Sequence, residues 1–410
     1  MKLITSTALM LVAAAFAVPA SAQGNKPAAP QPAQPAQPQI KPSSKALKAI
    51  IDLQDAVNKK DYASVPAKAA AAEAVASTKE DHYLIAQFQL QTAVAANDKA
   101  AISAAIDKIA ASNELDSSRV GALYVGLGGS YFNDKQYGPA SAAYQRALSI
   151  DPRNDEAGKM VGEALFAAGQ KAEAAAAFQH AIQASIAAGQ KPDESMVKRA
   201  VAIAYEAQSP IALDLARQWV ISYPSPSSWS DTLAIYSNLN HPDMEDALDL
   251  YRLRLVAGAM NDGGDYAQYA RTAAQLNNFN EAQTALDAGI AAKKINPSDA
   301  KYSDLVNGLK AKQKATAADL AEATRTAQSG MALLRIGDRY YAMGDYAKAV
   351  DLYRMSMNKP GVDKDVANLH VGTALTRSGD KAGATAAFNA VGGPRAGIAK
   401  LWLTYLGQKA

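Results

Sequence analysis

The chain has 410 residues, 49% of them hydrophobic and 20% charged, so it can bury an extensive core and is not disordered as a whole. Its 42 basic and 39 acidic side chains leave a formal net charge of +3, too near neutral for nucleic-acid binding through a broad basic face. The absence of cysteine excludes disulfides, thiol catalysis, Cys-based zinc sites and lipid attachment through an N-terminal cysteine.

Residues 1–22, MKLITSTALMLVAAAFAVPASA, have the three parts of a secretory signal. Lys2 is the positive start, Leu9 to Val18 is an apolar run, and Pro19 precedes the small-x-small site Ala20-Ser21-Ala22. The run falls short of the ~20 apolar residues of a spanning helix, so cleavage after Ala22 is expected rather than a permanent anchor. The pattern looks bacterial and implies a periplasmic location. Residues 23–44 follow as a Pro/Ala/Gln-rich linker, whose PAQ blocks favour extended, solvated polyproline II. It reads as a semi-rigid spacer, with a proline-rich ligand for another module as the alternative.

From Ser44 onward there are no period-2 runs of β-branched residues, and apolar positions recur at three- and four-residue steps. Helices of about 12 to 17 residues are expected, punctuated by short breakers: Asn97-Asp98, Gly169-Gln170, Asn240-His241-Pro242 and Gly344-Asp345. Connections this short make consecutive helices antiparallel hairpins, and roughly ten fit before Pro394. The fold class is therefore all-α.

Residues 121–154 carry Tyr124, Leu127, Gly128, Tyr131, Ala140, Tyr144, Ala147 and Pro152. The spacing is W-x2-L-G-x2-Y, then A-x3-F and a late proline. One period on come Val161-Gly162, Leu165, Gly169, Ala174, Phe178 and Ala181. Residues 330–363 give Leu333, Ile336-Gly337, Tyr340, Gly344, Ala349 and Tyr353, and 365–398 give Val371-Gly372, Leu375, Gly379, Ala384 and Phe388. On these residues the chain resembles the tetratricopeptide repeat family. The resemblance implies an α-solenoid, a right-handed superhelix of about ten hairpins.

The expected organisation is then divergent hairpins over 45–120, a repeat pair over 121–190, divergent repeat-like hairpins over 191–329 and a second pair over 330–398. Among the divergent ones, a hairpin is read over Trp229, Leu233, Tyr236, Ala247 and Tyr251 with a lengthened turn. A helix from near 394, continuing through 399–410, carries the stripe Ile398, Leu401, Trp402, Tyr405 and Leu406. It suits a cap on the last repeat, with a dimer or partner contact as the alternative.

The physical logic holds without the family. Gly128 and Ala140 are small where two helices must cross closely, and Tyr131 and Tyr144 fill the wedge beside the crossing, each worth about 2 kcal/mol on burial. Pro152 cannot continue a helix and turns the chain into the next hairpin.

No constellation for chemistry emerges. The glycine run 126–130 lacks the lysine of a phosphate loop and falls inside a helix; NDGGD (261–265) lacks the alternating ligands of a calcium loop. The histidines His82, His180, His241 and His370 stand singly and read as ordinary surface or packing residues. No catalytic, cofactor or metal residue is assigned, and the chain is expected not to be an enzyme. The family resemblance implies instead a groove lined by first helices. Carried onto the strong repeats, its positions are Phe132, Asn133, Lys159, Glu163, Phe166, Leu334, Asp338 and Tyr341. The family's carboxylate clamp is missing, since its positions hold Val125 and Gly129, then Lys159 and Glu163. The expected partner is a protein or extended peptide of the cell envelope, with no nucleic acid. The alternatives are a subunit of an envelope assembly, export or polysaccharide-synthesis complex, acting through its convex face or C-terminal helix, and glycan binding by Trp219, Tyr223 and Trp229.

Overall fold

The computed structural model describes residues 40–408, in which α-helices and one short 3-10 turn, Gly393–Arg395, account for the regular structure and no strand occurs. The chain divides into two compact units, one ending at Ser209 and one beginning at Pro210. The signal-like segment and most of the Pro/Ala/Gln-rich stretch lie outside the described residues.

The first unit contains α1 (Leu47–Asn58), α2 (Val65–Glu73), α3 (Lys79–Ala95), α4 (Lys99–Ser112), α5 (Ser117–Asn133), α6 (Tyr137–Ile150), α7 (Asp155–Ala167), α8 (Lys171–Ala187) and α9 (Glu194–Glu206). Helix starts are written locally: Thr78, Asp98, Asp116, Asn154 and Asp193 each accept a backbone N–H of the first turn. Each expected breaker in this unit is an inter-helix turn, with Asn97 and Gly169 in the left-handed conformation. Ion pairs one repeat apart tie neighbouring hairpins: Lys99 with Asp134, and Lys171 with Glu206 at 2.6 Å.

The expected linker ends earlier than its composition indicates. Ile40 packs against the first core, and Ser43 donates its N–H and hydroxyl to Asp81 at 2.7 and 2.8 Å. Asp81 is wholly buried. Burial alone would raise its pKa, but the N–H groups of Ser77, Ser43 and Thr78 and the Ser43 hydroxyl bring it down to about 2.

The second unit contains α10 (Ala212–Ser222), α11 (Pro226–Asn240), α12 (Met244–Val256), α13 (Gly263–Gln275), α14 (Phe279–Ala291), α15 (Ala300–Lys310), α16 (Ala317–Thr326), α17 (Gly330–Ala342), α18 (Tyr346–Ser356), α19 (Lys364–Ser378), α20 (Lys381–Asn389) and α21 (Ala396–Gly407). Its helices, like those of the first unit, form an all-α helical-repeat solenoid, as the periodicity predicts.

The repeat logic is explicit at four glycines. A Cβ on Gly128 would lie 2.5 Å from the Tyr144 ring; on Gly162, 2.6 Å from Phe178; on Gly337, 2.6 Å from Tyr353; on Gly372, 2.5 Å from Phe388. Each aromatic is buried against the glycine of its own hairpin. Tyr131 departs from the expected wedge: it is half-buried and lines an open cleft.

Two expectations for the second unit are corrected. α12 does not lie in an ordinary hairpin with α11. It is enclosed, with Leu248, Asp249, Leu250, Arg252 and Leu253 buried and Met244 its one exposed residue. The last helix is also more than a cap on the final repeat. Trp402 stacks on Phe388 at 5.7 Å, and the same helix reaches residues about 150 to 190 positions earlier. Arg217 donates to Thr404 (3.3 Å), Trp229 to Gln408 (3.1 Å), Gln408 to the Val220 carbonyl (2.9 Å) and Tyr405 to the Val256 carbonyl (3.1 Å). Arg395, just before α21, meets Asp246 at 2.7 Å and Asp363 at 2.9 Å. These contacts close the second unit on itself.

Candidate partner-binding face

Of the eight residues expected to line a groove, five belong to the first unit and are half-buried or exposed. Phe132 and Asn133 end α5. Phe132 rests edge-on against Tyr137 at 5.3 Å, and Asn133 is exposed. Lys159, Glu163 and Phe166 lie on α7, whose three- and four-residue spacing puts them on one face. The sequence reading missed the residue that organises this face. Arg199 of α9, 36 residues beyond Glu163, donates Nε and a terminal nitrogen to the two Glu163 oxygens, both at 3.1 Å. Its guanidinium also lies 4.3 Å from the Phe166 ring centroid. The bidentate pair fixes Arg199 over the aromatic, which is half-buried. The signal was present: Arg199 follows Glu163 by about one repeat.

Lys159 has a carboxylate in its neighbourhood. Asp193 is held below its ordinary pKa first by the Ser195 hydroxyl and the Met196 N–H, and further by the Lys159 charge. The face thus offers an aromatic step at Phe132, an amide at Asn133, a cation at Lys159 and a capped aromatic at Phe166.

The remaining three residues go elsewhere. Leu334 is 0% exposed, Asp338 2% and Tyr341 8%, all inside the second unit, so they present almost no surface to a partner. The reason is α12. Arg252 of that helix reaches Glu281 with two bonds of 2.7 Å, Asp249 at 2.8 Å and Asp338 at 3.4 Å, and lies 4.9 Å from the Tyr341 ring centroid. Tyr269 and Asn278 donate to Glu281 at 2.7 and 2.6 Å, and Tyr353 donates to Asp338 at 3.0 Å.

His370, read as an ordinary residue, belongs to the same network. Its Nε2 lies 3.2 Å from Asp249 and its Nδ1 2.9 Å from Asp338. Nδ1 does not meet Asp338 with hydrogen-bond geometry, so charge dominates that contact. Burial disfavours the imidazolium, but the two carboxylates outweigh it and raise the pKa to about 9. Conversely, burial acts against the Asp338 carboxylate, while His370 and Arg252 hold it well below the carboxylate range. Among the described residues, no group of three or more His, Asp or Glu side chains is arranged for a metal; here a guanidinium occupies the centre.

The aromatics considered for glycan binding are largely withdrawn as well: Trp219 is 5% and Trp229 3% exposed. A separate open cleft of ≈ 350 Å³ lies between α4 and α6 over α5. It is lined by Asp107, Tyr124, Tyr131 and Arg146 among others, with the Tyr124 hydroxyl donating to Asp107 at 2.5 Å.

With this geometry in hand, residues 122–154 match the family profile described as tetratricopeptide repeat. This segment is a tetratricopeptide repeat. It is the hairpin α5–α6, the one with the fullest set of signature positions. No curated protein matches the chain in sequence. Solved structures that it resembles include a tetratricopeptide repeat protein from Parabacteroides merdae (11% identity, 72% of this chain and 99% of that one, TM-score 0.27). Others are PilF of Pseudomonas aeruginosa (14%, 64% and 97%, TM-score 0.23) and yeast Tom70 (12%, 89% and 88%, TM-score 0.22). Overlays of this quality say nothing about the repeat's partner.

Proposed function

We propose that this protein is a non-enzymatic, exported scaffold that binds an envelope protein or an extended peptide across α5, α7 and α9. The observation that carries the reading is the contrast between the units. The repeat positions Phe132, Asn133, Lys159, Glu163 and Phe166 are accessible in the first, whereas Leu334, Asp338 and Tyr341 are buried in the second. Tetratricopeptide-type repeats serve as protein-interaction scaffolds, and a helical face with aromatic steps, Lys159 and the Arg199–Glu163 pair suits a peptide of mixed polarity. Export rests on residues 1–22 and a periplasmic location on the same segment; no described helix is long and apolar enough to cross a membrane.

Affinity capture from envelope extracts with the Lys159→Glu/Phe166→Ala double variant tests the face. The reading expects loss of the partner captured by the native protein, with helicity retained. An unchanged set of captured proteins refutes it. Cell fractionation of the chain with and without residues 1–22 tests export.

A second reading, a subunit of an envelope complex contacting its neighbours through the second-helix side, is favoured by the cleft of Tyr124, Tyr131 and Arg146. Arg146→Ala with Tyr131→Ala would then abolish co-purification while Lys159→Glu would not. The C-terminal helix is not available for this role, because Ile398, Leu401, Trp402 and Leu406 are buried in its own unit.

A further inference from the structure

We propose that α12 is a built-in helical ligand of the second unit: residues 242–258 occupy the face that these repeats would otherwise offer to a partner, and Arg252 is the recognition residue. The inference concerns the second unit and stands whether or not the first unit's face is the partner site.

Three observations carry it. First, the helix is surrounded as a bound helix is. Met244 alone is exposed, while Leu250 and Leu253 share a core with Leu334, Leu369 and Trp402. Second, what it covers is the α17 face carrying Leu334, Asp338 and Tyr341, the positions assigned to partner contact by the repeat pattern. Third, the contact is specific in a way that a core does not require. Apolar side chains would fill this volume at lower cost than a guanidinium, three carboxylates and an imidazole. The charged groups come from four helices. Asp249 and Arg252 lie on α12, Glu281 on α14, Asp338 on α17 and His370 on α19, with Tyr269 and Tyr353 completing the hydrogen bonds. Such an arrangement fixes one register: sliding α12 by a turn would part Arg252 from Glu281 and Asp338 and leave it only Asp249 of its own helix.

The ends of the segment fit a docked helix. Asp243 caps the start by accepting the Asp246 N–H at 2.9 Å, after Pro242 has broken the chain. Gly258, with φ +70°, turns the chain out at the other end with nothing within 4 Å of where its Cβ would lie. The kind of partner this surface takes is therefore an amphipathic helix with aspartate three residues before arginine and leucines beside both.

The test uses the full chain and a fluorescent peptide of residues 242–258, read by anisotropy. In the native chain the face is occupied and the peptide should not bind. The Arg252→Ala chain, whose own helix has lost its recognition group, should bind the native peptide saturably at one per chain. A peptide that itself carries Arg252→Ala should bind it about tenfold or more weakly. The Arg252→Lys chain, which keeps the charge, should capture less peptide than Arg252→Ala. A folded Arg252→Ala chain that ignores the peptide overturns the proposal. So does an Arg252→Ala chain that loses helicity in its second unit and does not regain it, or its melting temperature, when the peptide is added; α12 would then be an inseparable core element.

Discussion

His370 and Asp338 lie 2.9 Å apart, both buried, on two helices of neighbouring repeats. The imidazole is also 3.2 Å from Asp249, so it bridges α12, α17 and α19 as a cation rather than as a neutral ring.

That bridge gives the second unit a pH dependence. The folded pKa of His370 is about 9, above the ordinary 6.5. The folded state therefore binds the proton more tightly than the unfolded state. The resulting stability is fully present below about pH 6.5 and is lost as pH rises through about 9. Chemical denaturation of the native chain should show the second unit weakening between these values, and His370→Gln should flatten that dependence. His370→Gln should also cost roughly 3 to 5 kcal/mol near neutrality, the usual penalty for breaking a buried charged network. A native profile that is flat from pH 6.5 to 9 would show that the ring is neutral in the fold.

Two adjacent glycines in α5 should respond in opposite directions. A Cβ at Gly128 meets the Tyr144 ring at 2.5 Å, so Gly128→Ala should destabilise the first unit by about 1 to 3 kcal/mol through overpacking. At Gly129 the nearest atom is the Tyr144 hydroxyl at 3.8 Å. Gly129→Ala should stabilise by roughly 0.5 to 1 kcal/mol through helix propensity alone. Thermal unfolding of the two variants decides the matter, and equal effects would remove the close-crossing explanation.

These glycines mark what the sequence makes legible. Gly128, Gly162, Gly337 and Gly372 recur at fixed distance from an aromatic because every hairpin repeats one local contact. The all-α class and the turns followed from the same periodicity, and the face of α7 was implied by the family resemblance. The network around Arg252 did not, because Asp249, Glu281, Asp338 and His370 are brought together by tertiary packing and share no period. Nor could the pattern of α12 reveal its enclosure: MEDALDLYRLRLV alternates charge and leucine as a surface helix does, and only a partner for Arg252 makes its burial tolerable. The same limit explains Leu334, Asp338 and Tyr341, whose three- and four-residue spacing puts them on one face of α17 without any sign that the chain itself covers it.

Truncation after Gly393 should act as a core deletion. It removes Ile398, Leu401 and Trp402, each 0% exposed, together with the hydrogen bonds from α21 to residues 217–256. Circular dichroism and limited proteolysis should show the second unit losing protection while residues 45–206 keep theirs. A truncated chain with undiminished protection throughout would mean that α21 is a dispensable appendage.

On the proposed function, the first unit recruits the partner while the second is closed. Site-specific photocrosslinking in intact cells measures this most directly, with the reactive side chain at Phe166 in one strain and at the exposed Met343 at the end of α17 in another. A discrete crosslinked partner is expected from Phe166 and none from Met343. A partner captured from Met343 but not from Phe166 would contradict it.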